Sequence, residues 1–288
     1  MSPRETRRIE IKNTDQILRM RRAGMVVAQI HQALRAECRP GITTAELDQV
    51  SAAVIARMGA QPSFLGYEGY PATVCISINE EIVHGIPSNR VVQFGDLVSF
   101  DCGAYIVDSR GRQWHGDAAF SMICGGEEHA SDDDLQATTE RSLWAGIAAL
   151  AKAEHVNEIG DAIEEVVAED AARFGWEAGI VEEYTGHGIG TAMHQAPDVL
   201  NYSVRGKGPR VKPGMCLAIE PMLTRGSAEI KELSDGWTVV SADGSRAAHF
   251  EHTVAVLPGG VWVLTAADGG RAGLAPFGLS PRALEPRG

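Results

Sequence analysis

Val98-Ser99-Phe100-Asp101 is a short apolar run that ends on a carboxylate, and Trp114-His115-Gly116-Asp117 brings a second acid soon after. Far downstream stand Gly186-His187-Gly188, Ile219-Glu220-Pro221 and Phe250-Glu251-His252. A desolvated carboxylate costs several kcal/mol unless it is paired or bound to a metal. Four acids and one imidazole delivered to one place (Asp101, Asp117, His187, Glu220 and Glu251) would hold two divalent cations. Oxygen ligands with a single imidazole suit Mn, Fe, Co or Zn, and the donor types do not choose among these. Two such ions about 3.5–4 Å apart share bridging carboxylates and an activated water. Each residue taken alone has a plainer reading. Asp101 could pair with an Arg, Glu251 could be a strand-edge solubilising acid, and His187 between two glycines could be a turn residue. The case rests on the five together.

These residues need strands to carry them. Gly95 opens a strand that reaches Asp101. Tyr105-Ile106-Val107 continues a hairpin with its turn at 108–112, and the return strand runs from Trp114 to Ile123, placing His115 and Asp117 on one face. Asn13-Thr14-Asp15 caps a first helix whose apolar stripe is Ile17, Met20, Val27, Ile30 and Leu34, with Gly24 on the same stripe. Thr43-Thr44-Ala45-Glu46 reads as a capping box for a second helix to about Met58. Thr73–Ile78 reads as a strand. Helices follow at 132–153 and 157–174, then strands near 215–224, 237–241 and 249–257. Gly95–Asp101 and Gly214–Glu220 share a glycine, an apolar run and an acid six residues on. Two similar α/β halves facing each other, each giving an acid to the middle, would produce that repeat. Residues 1–12 read as an N-terminal extension, 13–266 as one catalytic domain, and 267–288 as a tail without order.

Composition excludes several classes. With 288 residues, 44% of them hydrophobic, the chain can bury a sizeable core. A net charge of −12 and a pI near 5.2 speak against a nucleic-acid groove. Five widely spaced cysteines without a Cys-x-x-Cys pair suit a reducing cytoplasm better than a disulfide framework or a zinc ribbon. The basic start lacks the apolar core of a signal peptide, and no stretch has the ~20 apolar residues that span a bilayer.

Further pieces occur in order. They are Gly66-Tyr67-Glu68-Gly69-Tyr70-Pro71, Ser77-Ile78-Asn79-Glu80, His84-Gly85-Ile86-Pro87, Gly188-Ile189-Gly190, His194, Pro221-Met222, Asp235-Gly236-Trp237-Thr238-Val239 and His252-Thr253. With the five candidate ligands they resemble the type I methionine aminopeptidases of the pita-bread metallopeptidases, over Ile9 to Thr265. Actinobacterial members look most similar. The resemblance implies an α+β pita-bread fold: two pseudo-symmetric α/β halves, a central curved antiparallel sheet and covering helices. It implies hydrolytic removal of the N-terminal methionine from nascent chains whose second residue is small, by a monomer working in the cytoplasm near the ribosomal exit tunnel. The basic N-terminus and residues 204–212 are the docking surfaces this suggests. Asp101 would chelate one of two divalent cations, Asp117 and Glu251 would bridge both, and His187 and Glu220 would complete the other. Glu220 would also act as the base. His194 would face the scissile carbonyl, His84 the amide beyond it, and Trp237 the approach. Phe64, Tyr67, Tyr70, Cys75 and Met193 would form the methionine pocket.

Some features depart from the family pattern. Asp101 and Asp117 are further apart in sequence than usual, with the surplus in the polar turn 108–112. Asp108 stands near the usual spacing but lacks a preceding His-Gly, so Asp117 is the second acid. Phe64 and Met193 replace a cysteine and a phenylalanine common elsewhere, and both stay apolar. A Pro-directed aminopeptidase or prolidase would ordinarily carry a further N-terminal domain. A non-catalytic binding relative would ordinarily have lost ligands.

Overall fold

A computed structural model describes residues 8–126 and 130–284. Helix α1 (Thr14–Glu37) begins at a capping box in which Asn13, rather than Thr14 or Asp15, accepts from Gln16 N at 3.0 Å and Gln16 accepts from Asn13 N at 2.7 Å. Its buried face is the stripe at Ile17, Met20, Gly24, Val27, Ile30 and Leu34. That face lies on a long antiparallel hairpin of strands Leu97–Val107 and Gln113–Ile123. The approach is close because two glycines meet: a Cβ on Gly116 would stand 2.7 Å from Gly24 N. Helix α2 (Thr44–Arg57), with its own Thr43/Glu46 capping box, packs beside α1.

The second half starts again with two helices, α3 (Ala130–Leu150) and α4 (Glu158–Phe174), packed on one another. Its main sheet runs, neighbour by neighbour, Gly260–Val263, His252–Leu257, Cys216–Ile219, Gly186–Gly188 and Gln195–Val199, all antiparallel. The repeat seen in sequence has a backbone counterpart. Gly95 (φ 81°) and Gly214 (φ 94°) both take the left-handed conformation that favours glycine just before their strands. Glu251 N donates to Ala119 O at 2.9 Å, stitching the second half to the hairpin. The two halves and their covering helices are the architecture the resemblance implies. Among the described residues the β structure comprises four antiparallel sheets, and the paired Ala119–Glu251 hydrogen bonds join the hairpin's sheet to that of the second half.

Several boundaries differ from the sequence reading. The strand expected at 215–224 breaks at Glu220-Pro221, and that expected at 249–257 breaks at Phe250-Glu251, so both acids sit where pairing stops. Residues 9–12 are no loose extension: Lys12 is 4% exposed and its N–H donates to Gly214 O at 2.7 Å. Nor is the C-terminal segment a tail as far as Leu284. Helix α5 (Arg271–Leu274) buries Leu274 completely, and Gly273 lies so close to the Trp144 ring that no Cβ would fit. Arg21 ties it down by donating to Leu264, Ala266 and Ala267 carbonyls. Leu274, Phe277, Leu279 and Leu284 pack on the core, and their spacing leaves no periodic pattern to read. Residues 1–7 and 285–288 of those two segments lie outside the described residues.

Candidate metal centre and substrate cavity

The hairpin register sets the first two acids. Asp101 pairs with Ala119 and Gly103 with Asp117, so the two carboxylates are diagonal neighbours on one face. In the second half His187 and Thr253 both pair with Ala218, and His252 pairs with Ile219. Glu251 and Glu220 therefore leave adjacent strand ends side by side. Ligand atoms of Asp117, His187 and Glu251 lie within 4.8 Å of one another. His187 Nε2 is 3.4 Å from Glu220 Oε1. Asp101 and Glu220 line the same cavity, which has a volume of about 360 Å³. All five candidate ligands are thus brought together, three of them most tightly.

Burial dominates the electrostatics. It pushes Asp101 up to about 7 and Glu220 up to about 8. Asp117 and Glu251 are raised as well, by burial first and then by neighbouring acids. Burial also lowers His187 to about 3, with His194 nearby adding to the effect. A neutral imidazole facing a protonated acid is not an ion pair. What the contact offers is a donor set. His187 Nδ1–H donates to Gly188 O at 3.0 Å, which leaves the Nε2 lone pair facing the acids. Asp101 Oδ1, Asp117 Oδ1 and Glu251 Oε1 are buried without a hydrogen-bond partner among the described residues. Buried polar atoms are almost always satisfied, so three orphaned carboxylate oxygens converging with a free imidazole nitrogen fit divalent cations. Asp108, by contrast, is spoken for in the turn. It accepts from Arg110 N, Arg112 N and Nε, Trp114 Nε1 and Arg19 Nη1, at 2.7–3.1 Å.

Two residues the sequence reading passed over support the centre. His249 is 1% exposed, and its Nε2, which has no hydrogen bond among the described residues, lies 3.6 Å from Glu220 Oε2. Thr253 Oγ1 accepts from Asp117 N at 3.0 Å and donates to Asp117 O at 2.8 Å, standing in for a missing ladder pair between the halves. The His252-Thr253 motif held that signal, but a hydroxyl acting as backbone surrogate is visible only in three dimensions.

The opposite wall is apolar. Phe64, Tyr70, Ala72, Cys75 and Met193 form one buried cluster, with Ile86 and Trp237 against it. Tyr67 is not in that cluster. It stands 37% exposed at the mouth, its hydroxyl 2.9 Å from His194 Nδ1, and when that hydroxyl donates, His194 presents Nε2–H. The His194 ring meets that of His187 edge-on at 4.3 Å. His84 stacks edge-on with Tyr184 and Trp237, and its φ of 62° is strained for a non-glycine residue beside a site. Gly85, next to it, leaves no room for a Cβ against Ile76 O.

Residues 18–258 match the pattern of metallopeptidase family M24. The chain belongs to metallopeptidase family M24. Methionine aminopeptidase 1 of Mycobacterium tuberculosis is 48% identical over 247 residues, covering 85% of this chain and 91% of that one. Methionine aminopeptidase 1 of Bacillus subtilis is 44% identical over 248 residues, covering 85% and 94%. The crystal structure of methionine aminopeptidase from Thermotoga maritima superposes with a TM-score of 0.82 at 34% identity, over 90% of this chain and 99% of that one. A prolidase from Pyrococcus furiosus, 18% identical with a TM-score of 0.68, shares the fold. Within M24 the chain stands with the methionine aminopeptidases of type I and has their pita-bread fold, which agrees with the sequence reading.

Proposed function

We propose that this M24 enzyme hydrolyses the first peptide bond of chains that begin with Met and continue with a small residue. The observation that carries this is one cavity with unpaired buried carboxylates on one wall and the Phe64–Tyr70–Cys75–Met193 cluster on the other. The apolar wall takes the Met side chain. The thioether gains by burial at ~0.8 kcal/mol per methylene, and sulfur–aromatic contact adds about 0.3–1.5 kcal/mol.

Asp101, Asp117, His187, Glu220 and Glu251 would hold two divalent cations. When bound, these ions supply Lewis acidity and lower the pKa of a water held in the cavity. Glu220 takes the proton of the attacking water as the carbon–oxygen bond forms, then gives it to the leaving amine as the carbon–nitrogen bond breaks. His194 Nε2–H donates to the oxygen that becomes negative, the interaction that usually contributes most. His84 faces the amide beyond the cleaved bond, and Trp237 lines the approach.

Release of Met from Met-Ala-Ser and Met-Lys-Ser tests this reading, using protein stripped of metal and reloaded in turn with Mn, Co, Fe or Zn. Turnover should return with at least one ion and should strongly favour the Ala peptide. Comparable kcat/KM for the two peptides would sink the narrow-site part, and turnover by metal-free protein the metal part. A cytoplasmic location is supported by five free, buried thiols, and no helix among the described residues is long and apolar enough to cross a membrane. For ribosome docking the supporting feature is a groove where Arg8, Arg210 and Lys212 meet around Ile9, Ile11 and Met215.

A further inference from the structure

Met193 and His194 sit in the segment 190–195, which runs from the Gly186–Gly188 strand into the start of the Gln195–Val199 strand and meets His187 at Met193 and His194. The segment Ile9–Lys12 holds it as well. Glu10 Oε2 accepts from the Thr191 N–H and from the Thr191 hydroxyl, both at 3.2 Å. Gln195 Nε2 donates to that same hydroxyl at 3.2 Å, and Lys12 Nζ donates to Gln195 Oε1 at 3.4 Å. Both ends of the loop are therefore tied to one short segment. Lys12 Nζ is 3.6 Å from Glu10 Oε2 and donates to Glu10 O at 3.3 Å, with its side chain only 2% exposed. The segment is itself anchored through Lys12 N to Gly214 O. Gly190 lets it lie close, since a Cβ there would overlap the Glu10 carboxylate and the Lys12 Cε. From the other side His115 N donates to Gly190 O at 3.0 Å.

Burying an ammonium group is expensive even when it is paired, and an apolar replacement of similar shape often serves stability as well or better. A buried ammonium paired with a half-buried carboxylate, both bonded to residues of the one segment 190–195, is better explained by geometry than by stability. The geometry points to Glu10 and Lys12 as positioning residues. They hold loop 190–195 so that Met193 closes the apolar wall and His194 stays against His187. This rests on the roles proposed above for Met193 and His194. Misplacing a reacting group by about 1 Å can cost on the order of a hundredfold in rate, so a strap of this kind is worth keeping.

The test uses the full chain with Glu10→Ala and Lys12→Met, and three readouts. Amide hydrogen exchange over 190–195 in metal-stripped protein should rise by about tenfold or more at Thr191, whose N–H loses its acceptor. Mn binding by calorimetry should stay within about twofold, because Glu10 and Lys12 bond to none of the five ligands. The kcat/KM on Met-Ala-Ser, per metal-loaded site, should fall by about tenfold or more. Glu10→Gln keeps an acceptor and should recover most of the loss. Combined with His194→Ala, the Glu10→Ala loss should shrink without vanishing, since part of it acts through that imidazole and part through Met193. Unchanged exchange, unchanged kcat/KM per loaded site, or losses that multiply in the double variant would overturn the assignment. Should Glu10→Ala not fold, Thr191→Val removes the hydroxyl at the loop end, leaves the Lys12–Glu10 pair intact, and should move exchange and kcat/KM the same way. Failure of the unaltered enzyme to release Met would sink the proposed reaction, and the exchange readout would then judge the strap alone.

Discussion

Glu220 occupies three roles at once: it is a buried acid, a neighbour of two histidines and the proposed proton carrier. Glu220→Gln should lower kcat by about a hundred- to ten-thousand-fold, the usual contribution of a positioned acid–base group. Metal titration alongside the kinetics separates that loss from simple loss of an ion. The raised carboxyls carry a second expectation. Asp101 and Glu220 ionise near 7 and 8 in the metal-free fold, against roughly 4 in an unfolded chain. An acid with a raised folded pKa binds more protons folded than unfolded. Its share of stability is whole below the unfolded value and drains away as pH rises through the folded one. Stripped protein should therefore melt at lower temperature at about pH 9 than at about pH 6, and metal should flatten the difference. A melting temperature of stripped protein that rises over that range would refute the burial argument. The Asp108 carboxyl moves the other way: burial would raise it, but hydrogen bonds from Trp114, Arg112 and Arg110 hold it well below the usual range. It organises the hairpin turn, so Asp108→Asn should leave turnover nearly unchanged and loosen the turn.

At the scale of elements, the hairpin and the sheet that faces it need a joint that keeps Asp117 and Glu251 in register. Thr253 provides it. Thr253→Val keeps the shape but removes both hydrogen bonds to the Asp117 backbone, and metal affinity should drop by about 10- to 100-fold while Thr253→Ser stays close to the original. Isothermal titration with Mn decides it. Equal affinity in all three proteins would remove Thr253 from the account. The elements themselves were largely legible. The capping box at Thr43 and the stripe from Ile17 to Leu34 are local signals, and the structure keeps them, while the first helix takes its cap from Asn13 instead of Thr14 or Asp15. The acids were legible because a carboxylate at the end of an apolar run is anomalous. Glu10, Lys12 and Thr253 were not, because each matters through a partner more than a hundred residues away; His249 was not, because only the fold brings it against Glu220. The packed C-terminal segment is hidden for a related reason: Gly273 fits against Trp144 by shape, which composition cannot express.

For the whole molecule, the proposed ligands come from both halves, so bound metal would be a cross-link. An ion present at a hundred times its Kd stabilises the folded state by about 2.7 kcal/mol, or about 5–10 °C in a chain of this size. Adding a chelator should abolish turnover and lower the melting temperature by that order in one cooperative step. Two separate transitions would show that the halves unfold independently. The Ala119–Glu251 stitch carries a further consequence, which concerns time. During synthesis the hairpin acids emerge first, and Glu251 follows about 130 residues after Asp117, on the order of ten seconds later at ordinary elongation rates. Until then the hairpin must wait with its acids unpaired and its edge open. The enzyme that trims the beginnings of other chains is itself unable to act until nearly its own end has been made.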